Sequence, residues 1–429
     1  MDSYFKEILE MIVPSKEEEK KAWEIINEFK SKLEEYLPEV LVGGSFGKGT
    51  WLKGTSDVDL FIRFPKDGRI SDKVEDALKK LGVNYIRIRG SRDYFKVFYE
   101  NFEFELVPIL KISKPEEAKN VTDLSPFHIA YIREKIKEKP YLVNEIRLTK
   151  AFMKAIGVYG AESYINGFSG YACEVLTIYY NSFLNLVKNA SNWRPKVIID
   201  PESFYKNKQE IINKLNIHRL QSPIVIIDPV CPARNVTASV STKSFAQFIF
   251  YARRLLEDIN KHDIKKYFVV EQKTENYFIE KCKRLGTNLV VFEVIGKGNN
   301  LDVKNTKILK FLEFIKKQLT VLGFTIIDYD IIFQKDLNCT GKIYLYIYPN
   351  CLPEYELKSG PPVWVKEHAE KFYKKWVNFE VKISPDGRLL AIAPRRIKTL
   401  QEAISFIFNN FKSSIEDKVE KVSYSVLSK

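Results

Sequence analysis

Cysteine is scarce and scattered in this chain. Its five cysteines, Cys173, Cys231, Cys282, Cys339 and Cys351, are odd in number and far apart, which argues against a disulfide framework and against the paired spacing of a zinc site. No apolar run approaches the roughly 20 residues that a membrane-spanning helix needs. The first residues carry no signal-peptide pattern, and repeats and long disordered tracts are missing. These absences place the expected home in a reducing cytoplasm, away from membranes.

The chain is long, aromatic and basic. At 429 residues it exceeds one ordinary core and should divide into roughly two to four domains. A hydrophobic fraction of 45% is enough to fill them. Lys and Arg number 68 against 55 Asp and Glu, a net charge of +13, and this excess favours a polyanionic partner. A merely soluble basic protein would show the same balance. The 29 Phe and 23 Tyr offer stacking faces and turn the expectation toward RNA.

The strongest local pattern is a pair of carboxylates behind a glycine-rich turn. Gly43-Gly44-Ser45-Phe46-Gly47-Lys48-Gly49-Thr50 precedes Asp57 and Asp59, which lie two positions apart in a strand-like run. In a strand, residues i and i+2 share a face, so both carboxylates project together while Val58, Leu60 and Ile62 pack behind them. Adjacent carboxylates repel unless a cation joins them, and hard oxygen ligands beside a phosphate suit Mg²⁺. The run Phe102-Glu103-Phe104-Glu105-Leu106-Val107-Pro108 alternates with period two, so a neighbouring strand can add a third carboxylate. An edge strand with one wet acidic face is the competing reading.

The periodicities divide the chain into an α+β, multidomain protein. Residues 1–137 read as a head on a mixed sheet, with a helix over 16–37 and strands at 40–42, 58–64, 85–89, 95–99 and 102–108. Residues 138–264 read as a helical neck, with helices over 141–156, 171–187 and 244–256. Residues 265–325 and 385–429 read as an α/β body with a strand at 288–295 and a basic helix over 307–318. An inserted tail fills 326–384, helical over 367–376, and a strand falls at 342–348.

The order Gly43-Gly44-Ser45, Lys48-Gly49-Thr50, Gly54-Thr55-Ser56-Asp57-Val58-Asp59-Leu60-Phe61 and Glu105-Leu106-Val107-Pro108 resembles the nucleotidyltransferase superfamily typified by DNA polymerase beta. Further segments narrow the resemblance to the archaeal-type (class I) CCA-adding enzymes. They are Ser125-Pro126-Phe127-His128, Arg147-Leu148-Thr149-Lys150, Gly157-Val158-Tyr159-Gly160-Ala161-Glu162, Gly167-Phe168-Ser169-Gly170-Tyr171, Asp228-Pro229-Val230, Arg234-Asn235-Val236 and Gly360-Pro361-Pro362-Val363-Trp364.

The resemblance implies template-independent addition of CCA to the 3′ end of tRNA from CTP and ATP. It implies Mg²⁺ as cofactor, the tRNA acceptor stem and 3′ end as partner, and a homodimer in some family members. Asp57, Asp59 and Glu105 become the catalytic metal ligands, with Glu105 at a position where relatives often carry Asp. Gly44 and Ser45 would cradle the triphosphate with Lys48 and His128, Lys150 and Tyr159 would hold phosphates and sugar, and Arg234 would face the nucleobase. Plainer roles stand beside these: Ser45 as a helix cap, Lys48 and Lys150 as solvated cations, His128 and Tyr159 as structural groups, Arg234 as a partner of Glu105 or Asp228. Two other functions compete: a poly- or oligo-adenylating enzyme acting on another RNA, which shares the aspartate pair, and an inactive RNA-binding module of the same fold, which usually loses the carboxylates retained here.

Overall fold

The computed structural model describes residues 3–66, 68–215, 220–261, 264–270, 273–334 and 340–427. Cys339, and with it residues 335–339 of the expected tail, lies outside them. The chain forms two compact units, Met1–Gln272 and Lys273–Lys429. Among the described residues no helix is long and apolar enough to cross a membrane.

The first unit opens with α1 (Lys6–Ile12) and α2 (Lys16–Glu34). A complete capping box starts α2: Glu18 N donates to Ser15 Oγ, and Ser15 N donates back to the Glu18 carboxylate. There follow β1 (Glu39–Val42), α3 (Gly44–Lys48), β2 (Asp57–Phe64), α4 (Ile70–Leu81), β3 (Tyr85–Ile88), β4 (Tyr94–Tyr99) and β5 (Phe102–Leu110). The strands form one mixed sheet in the order β1-β2-β5-β4-β3, with β2 and β5 parallel and the other pairs antiparallel. Val58, Leu60, Ile62, Phe104 and Leu106 face a core closed by Ile26, Phe29 and Leu33 of α2 and Val74 and Leu78 of α4. The opposite face carries Asp57 and Asp59 at one end, while Phe61 packs against Ile109 and Ile129 further along.

The unit continues with α5 (Ser125–Glu138), α6 (Leu142–Ala155), α7 (Gly170–Tyr180), α8 (Phe183–Ala190), β6 (Val197–Ile199), α9 (Lys208–Lys214), β7 (Ile224–Ile226) and α10 (Thr242–Asp258). The single helix expected over 171–187 is two. Asn181 ends α7 in the left-handed region at φ 63°, and Ser182 caps α8 by accepting from Asn185 N at 3.1 Å. The neck core draws in Phe5, Ile8 and Leu9 from α1 and the residue before it, and Ile132 from α5. Chain segments expected in the head therefore pack with the neck.

The second unit contains α11 (Glu275–Leu285), β8 (Asn288–Gly296), α12 (Leu301–Leu322), β9 (Thr325–Phe333), β10 (Thr340–Tyr348), β11 (Tyr355–Pro362), α13 (Lys366–Trp376), β12 (Glu380–Ile383), β13 (Arg388–Pro394), α14 (Leu400–Asn410), α15 (Lys412–Glu416) and β14 (Val419–Leu427). Its strands make two sheets, β14-β8-β10-β9 and β11-β13-β12. Phe311 and Ile315 of α12 and Ile404 and Ile407 of α14 cover one face of the larger sheet. Phe278 of α11 stacks on Tyr344 across the other, with ring centroids 3.8 Å apart.

The strand pairing runs across the expected boundary between body and tail. Residues 325–348, expected mostly in the tail, complete the body sheet through β9 and β10, and β13, expected in the body, is the central strand of the smaller sheet. Asp328 and Asp330 interrupt the apolar pattern of β9 and hide it from periodicity. Lys281 of α11 neutralises both, at 2.7 and 2.6 Å.

Candidate active site

Two parallel strands bring three acidic side chains into register. Asp57 stands opposite Glu103 and Asp59 opposite Glu105 along the β2–β5 pair, so Asp57, Asp59 and Glu105 share the sheet face away from the core. The turn before them is tied to the same strand, because Gly43 N donates to Asp59 O at 2.7 Å. Gly43 is the N-cap of α3 and no side chain caps that helix, so Ser45 is not the cap of the plainer reading. Gly44 is required by two constraints at once. Its φ is +53°, and a Cβ there would lie 1.7 Å from Asp59 Oδ2.

The carboxylates are not balanced internally. Burial, then the charges of Glu105 and Asp57, push the Asp59 carboxyl up to about 7, against the pull of Lys48 and Lys150. Lys96 Nζ lies 3.0 Å from Glu105 Oε1 and also pairs with Glu103. Among the described residues no three His, Cys, Asp or Glu side chains are gathered at metal-binding spacing. The oxygen-only donor set and the excess negative charge at Asp59 fit a hard divalent cation, with Glu105 turned toward Lys96.

Behind α3 lies a buried ionic network. Lys48 Nζ donates to Glu174 Oε2 at 2.7 Å, Lys150 Nζ to Glu174 Oε1 at 2.8 Å, and Thr50 Oγ1 to the same Oε1 at 2.7 Å. The Lys48 and Lys150 side chains are only 9% and 3% exposed, which rules out the solvated reading of either. Burial would raise the Glu174 carboxyl, but Lys150 and Lys48 outweigh it and hold it at about 2. Arg147 of α6 donates to Trp51 O and Gly49 O at 3.0 and 3.2 Å, fastening this loop to the neck. Tyr159 packs half-buried against the neck core, and burial raises its phenol well above the ordinary range.

A second buried hub gathers His128 and Arg234. His128 Nε2 lies 2.9 Å from Asp228 Oδ2, Arg234 Nη1 donates to that oxygen at 2.7 Å, and Tyr171 OH donates to Oδ1 at 3.1 Å. Of the two plain partners considered for Arg234, Asp228 is the one it meets. Burial lowers the His128 imidazole despite Asp228, and Lys48 sits 5.3 Å above the Tyr171 ring. A cavity of about 660 Å³ opens beside the hub, lined by Lys119, Asn120, Ser169, Arg234, Asn235 and Ser239 among others.

Sequence reasoning gave no role to Glu174, Thr50 or Tyr171 and treated Asp228 only as a partner. Glu174 did leave a signal: it is the one charge in the apolar helical run Ala172-Cys173-Glu174-Val175-Leu176-Thr177-Ile178, and a lone buried charge needs a partner.

A mixed sheet presenting paired aspartates beside a glycine turn, backed by buried lysines, defines a nucleotidyltransferase. Residues 22–147 match the nucleotidyltransferase domain family, 144–269 the tRNA nucleotidyltransferase second domain, and 302–429 the CCA-adding enzyme C-terminal domain. CCA-adding enzymes of Nanoarchaeum equitans and Methanocaldococcus jannaschii are 37% and 32% identical, covering 95% and 99% of this chain and 99% and 92% of their own lengths. The chain belongs to the CCA-adding enzyme family. In fold it resembles a cytoplasmic RNA terminal U-transferase, with a TM-score of 0.51 at 15% identity over 63% of this chain and 98% of that one.

Proposed function

We propose that this chain extends the 3′ end of tRNA with C, C and A, taking CTP and ATP as substrates without a nucleic-acid template and releasing pyrophosphate, and that Asp57, Asp59 and Glu105 hold Mg²⁺ for the transfer. The observation that carries the site assignment is the β2–β5 register, which sets Asp59 opposite Glu105 next to the Gly44 turn. Nucleotidyltransferase-fold enzymes generally use divalent metal ions. When bound, such ions activate the attacking hydroxyl and neutralise the departing pyrophosphate.

The chain's own residues do the rest. Gly44 and Ser45 lead a short helix whose first amides have no intrahelical acceptor, and they receive triphosphate oxygens. Lys48 and Lys150 add positive charge around the phosphates, His128 borders them with Nε2 held by Asp228, Tyr159 bounds the sugar, and Arg234 meets the base. Glu105, paired with Lys96 in this structure, would turn from it to hold the metal. The test is incubation with tRNA lacking its CCA end, Mg²⁺ and each labelled nucleotide in turn. Incorporation of both CMP and AMP is expected; long adenylate tails without CMP, or no incorporation, overturn the reading. Light scattering tests whether the chain forms the homodimer that some family members form; a single-protomer mass removes it.

Gly44→Ala probes the site without changing its chemistry. The methyl group must displace the Asp59 carboxylate or the turn, and a shift of about 1 Å at a reacting centre costs roughly 10²-fold in kcat. A fall of that size with unchanged tRNA affinity is expected in single-turnover assays. Wild-type rates would remove Gly44 from the site.

A further inference from the structure

Asp228 is fully buried and its carboxylate is saturated. Oδ2 receives His128 Nε2 and Arg234 Nη1, at 2.9 and 2.7 Å, while Oδ1 receives Tyr171 OH and Val230 N, at 3.1 and 3.0 Å. It has no lone pair left for a ligand. The main chain closes the same loop, with Asp228 N donating to Arg234 O at 3.0 Å and Arg234 N to Cys231 O at 2.9 Å. Aspartate and arginine are thus tied together through both backbone and side chain.

Arg234 differs from its anchor. Its side chain remains 32% exposed and lines the cavity. A guanidinium is a rigid plane of five donors with no acceptor, so fixing Nη1 against Asp228 fixes how the remaining N–H groups face that space. Such a wall matches bases that present a ring-nitrogen acceptor, as cytosine does at N3 and adenine at N1. It opposes uracil and guanine, which carry N–H at those positions. A freely rotating arginine would lose that discrimination, because its donors would follow whatever base entered.

We propose that Asp228 is the positioning residue for nucleotide selection: it touches no substrate, but orients Arg234 and fixes the proton of His128 on Nε2, so that the cavity wall admits C and A and rejects U and G. This rests on the nucleotidyl-transfer reading above. It predicts an effect on choice of nucleotide, separate from any effect on rate.

The experiment compares CMP with UMP incorporation into tRNA lacking its CCA end, using full-length Asp228→Asn, Arg234→Ala and the double variant, with tRNA affinity and thermal midpoint measured alongside. Asp228→Asn is expected to lower the CMP:UMP ratio at least about tenfold, with tRNA affinity within about twofold. Arg234→Ala should lose the same selectivity, and the double variant no more than either alone, since the two act as a unit. If Asp228→Asn does not fold, Tyr171→Phe, which removes one of the two donors to Oδ1 and keeps the His128 and Arg234 contacts, should lower the ratio a few-fold. Equal losses of CMP and UMP incorporation, additive losses in the double variant, or an unchanged ratio in Tyr171→Phe overturn the proposal. A wild-type protein that incorporates neither CMP nor AMP instead removes the underlying reading.

Discussion

Asp59→Asn is expected to abolish nucleotide addition while leaving the protein as stable as before or more so. The half-buried carboxylate is poorly hydrated and stands beside the charges of Glu105 and Asp57, and both effects raise its proton affinity; a neutral isostere relieves them without changing shape. The loss of activity should exceed about 10³-fold, the equivalent of roughly 4 kcal/mol of transition-state stabilisation, because on the proposed reading one Asp fewer would leave the metal poorly held. Two measurements separate this from a general folding defect. The thermal midpoint of the variant at neutral pH should equal or exceed that of wild type, and tRNA affinity should stay within about twofold. Mg²⁺ should raise the wild-type midpoint more than the variant's, since a ligand stabilises the state it binds. A variant that turns over normally, or one that gains as much from Mg²⁺ as wild type, would mean that Asp59 holds no metal.

The sequence made the sheet legible because its signals are local. Period-two alternation in β2 and β5 located both strands and the faces of Asp57, Asp59 and Glu105, and the parallel register joins them as the pattern required. Pairing between distant elements left no such trace. Nothing in the spacing of Lys48, Lys150 and Glu174 reveals that one carboxylate binds both lysines, since 126 positions separate Lys48 from Glu174. The same holds for His128 and Asp228, 100 positions apart. Strand β9 was hidden for a related reason: Asp328 and Asp330 make it look polar, and the ion pairs with Lys273 and Lys281 that hold them leave no trace in its spacing. The break between α7 and α8 was readable in principle, because Asn181-Ser182 combines a residue tolerant of positive φ with a helix N-cap.

Glu174→Gln is expected to destabilise the first unit by about 3–5 kcal/mol, the usual cost of leaving a buried ion pair half intact. One carboxylate there faces two ammonium groups and the Thr50 hydroxyl with almost no solvent. Glutamine offers one acceptor oxygen and turns an amide toward a lysine, so two positive charges remain with no counter-charge in the network. The pH dependence carries a definite sign. In the folded protein the Glu174 carboxyl is held at about 2, below the roughly 4.3 of an unfolded glutamate, so its stabilisation is fully present above about pH 4.5 and is lost as pH falls through 2. Wild type and variant should therefore differ most at neutral pH and converge in acid, as read from denaturant midpoints; a difference independent of pH would show that shape, not charge, is what Glu174 supplies. Adding Lys48→Met to Glu174→Gln restores the network's balance of one excess positive charge and replaces a buried ammonium with an apolar chain. That double variant should regain part of the stability lost, while, on the proposed role of Lys48, binding the triphosphate more weakly than either wild type or Glu174→Gln.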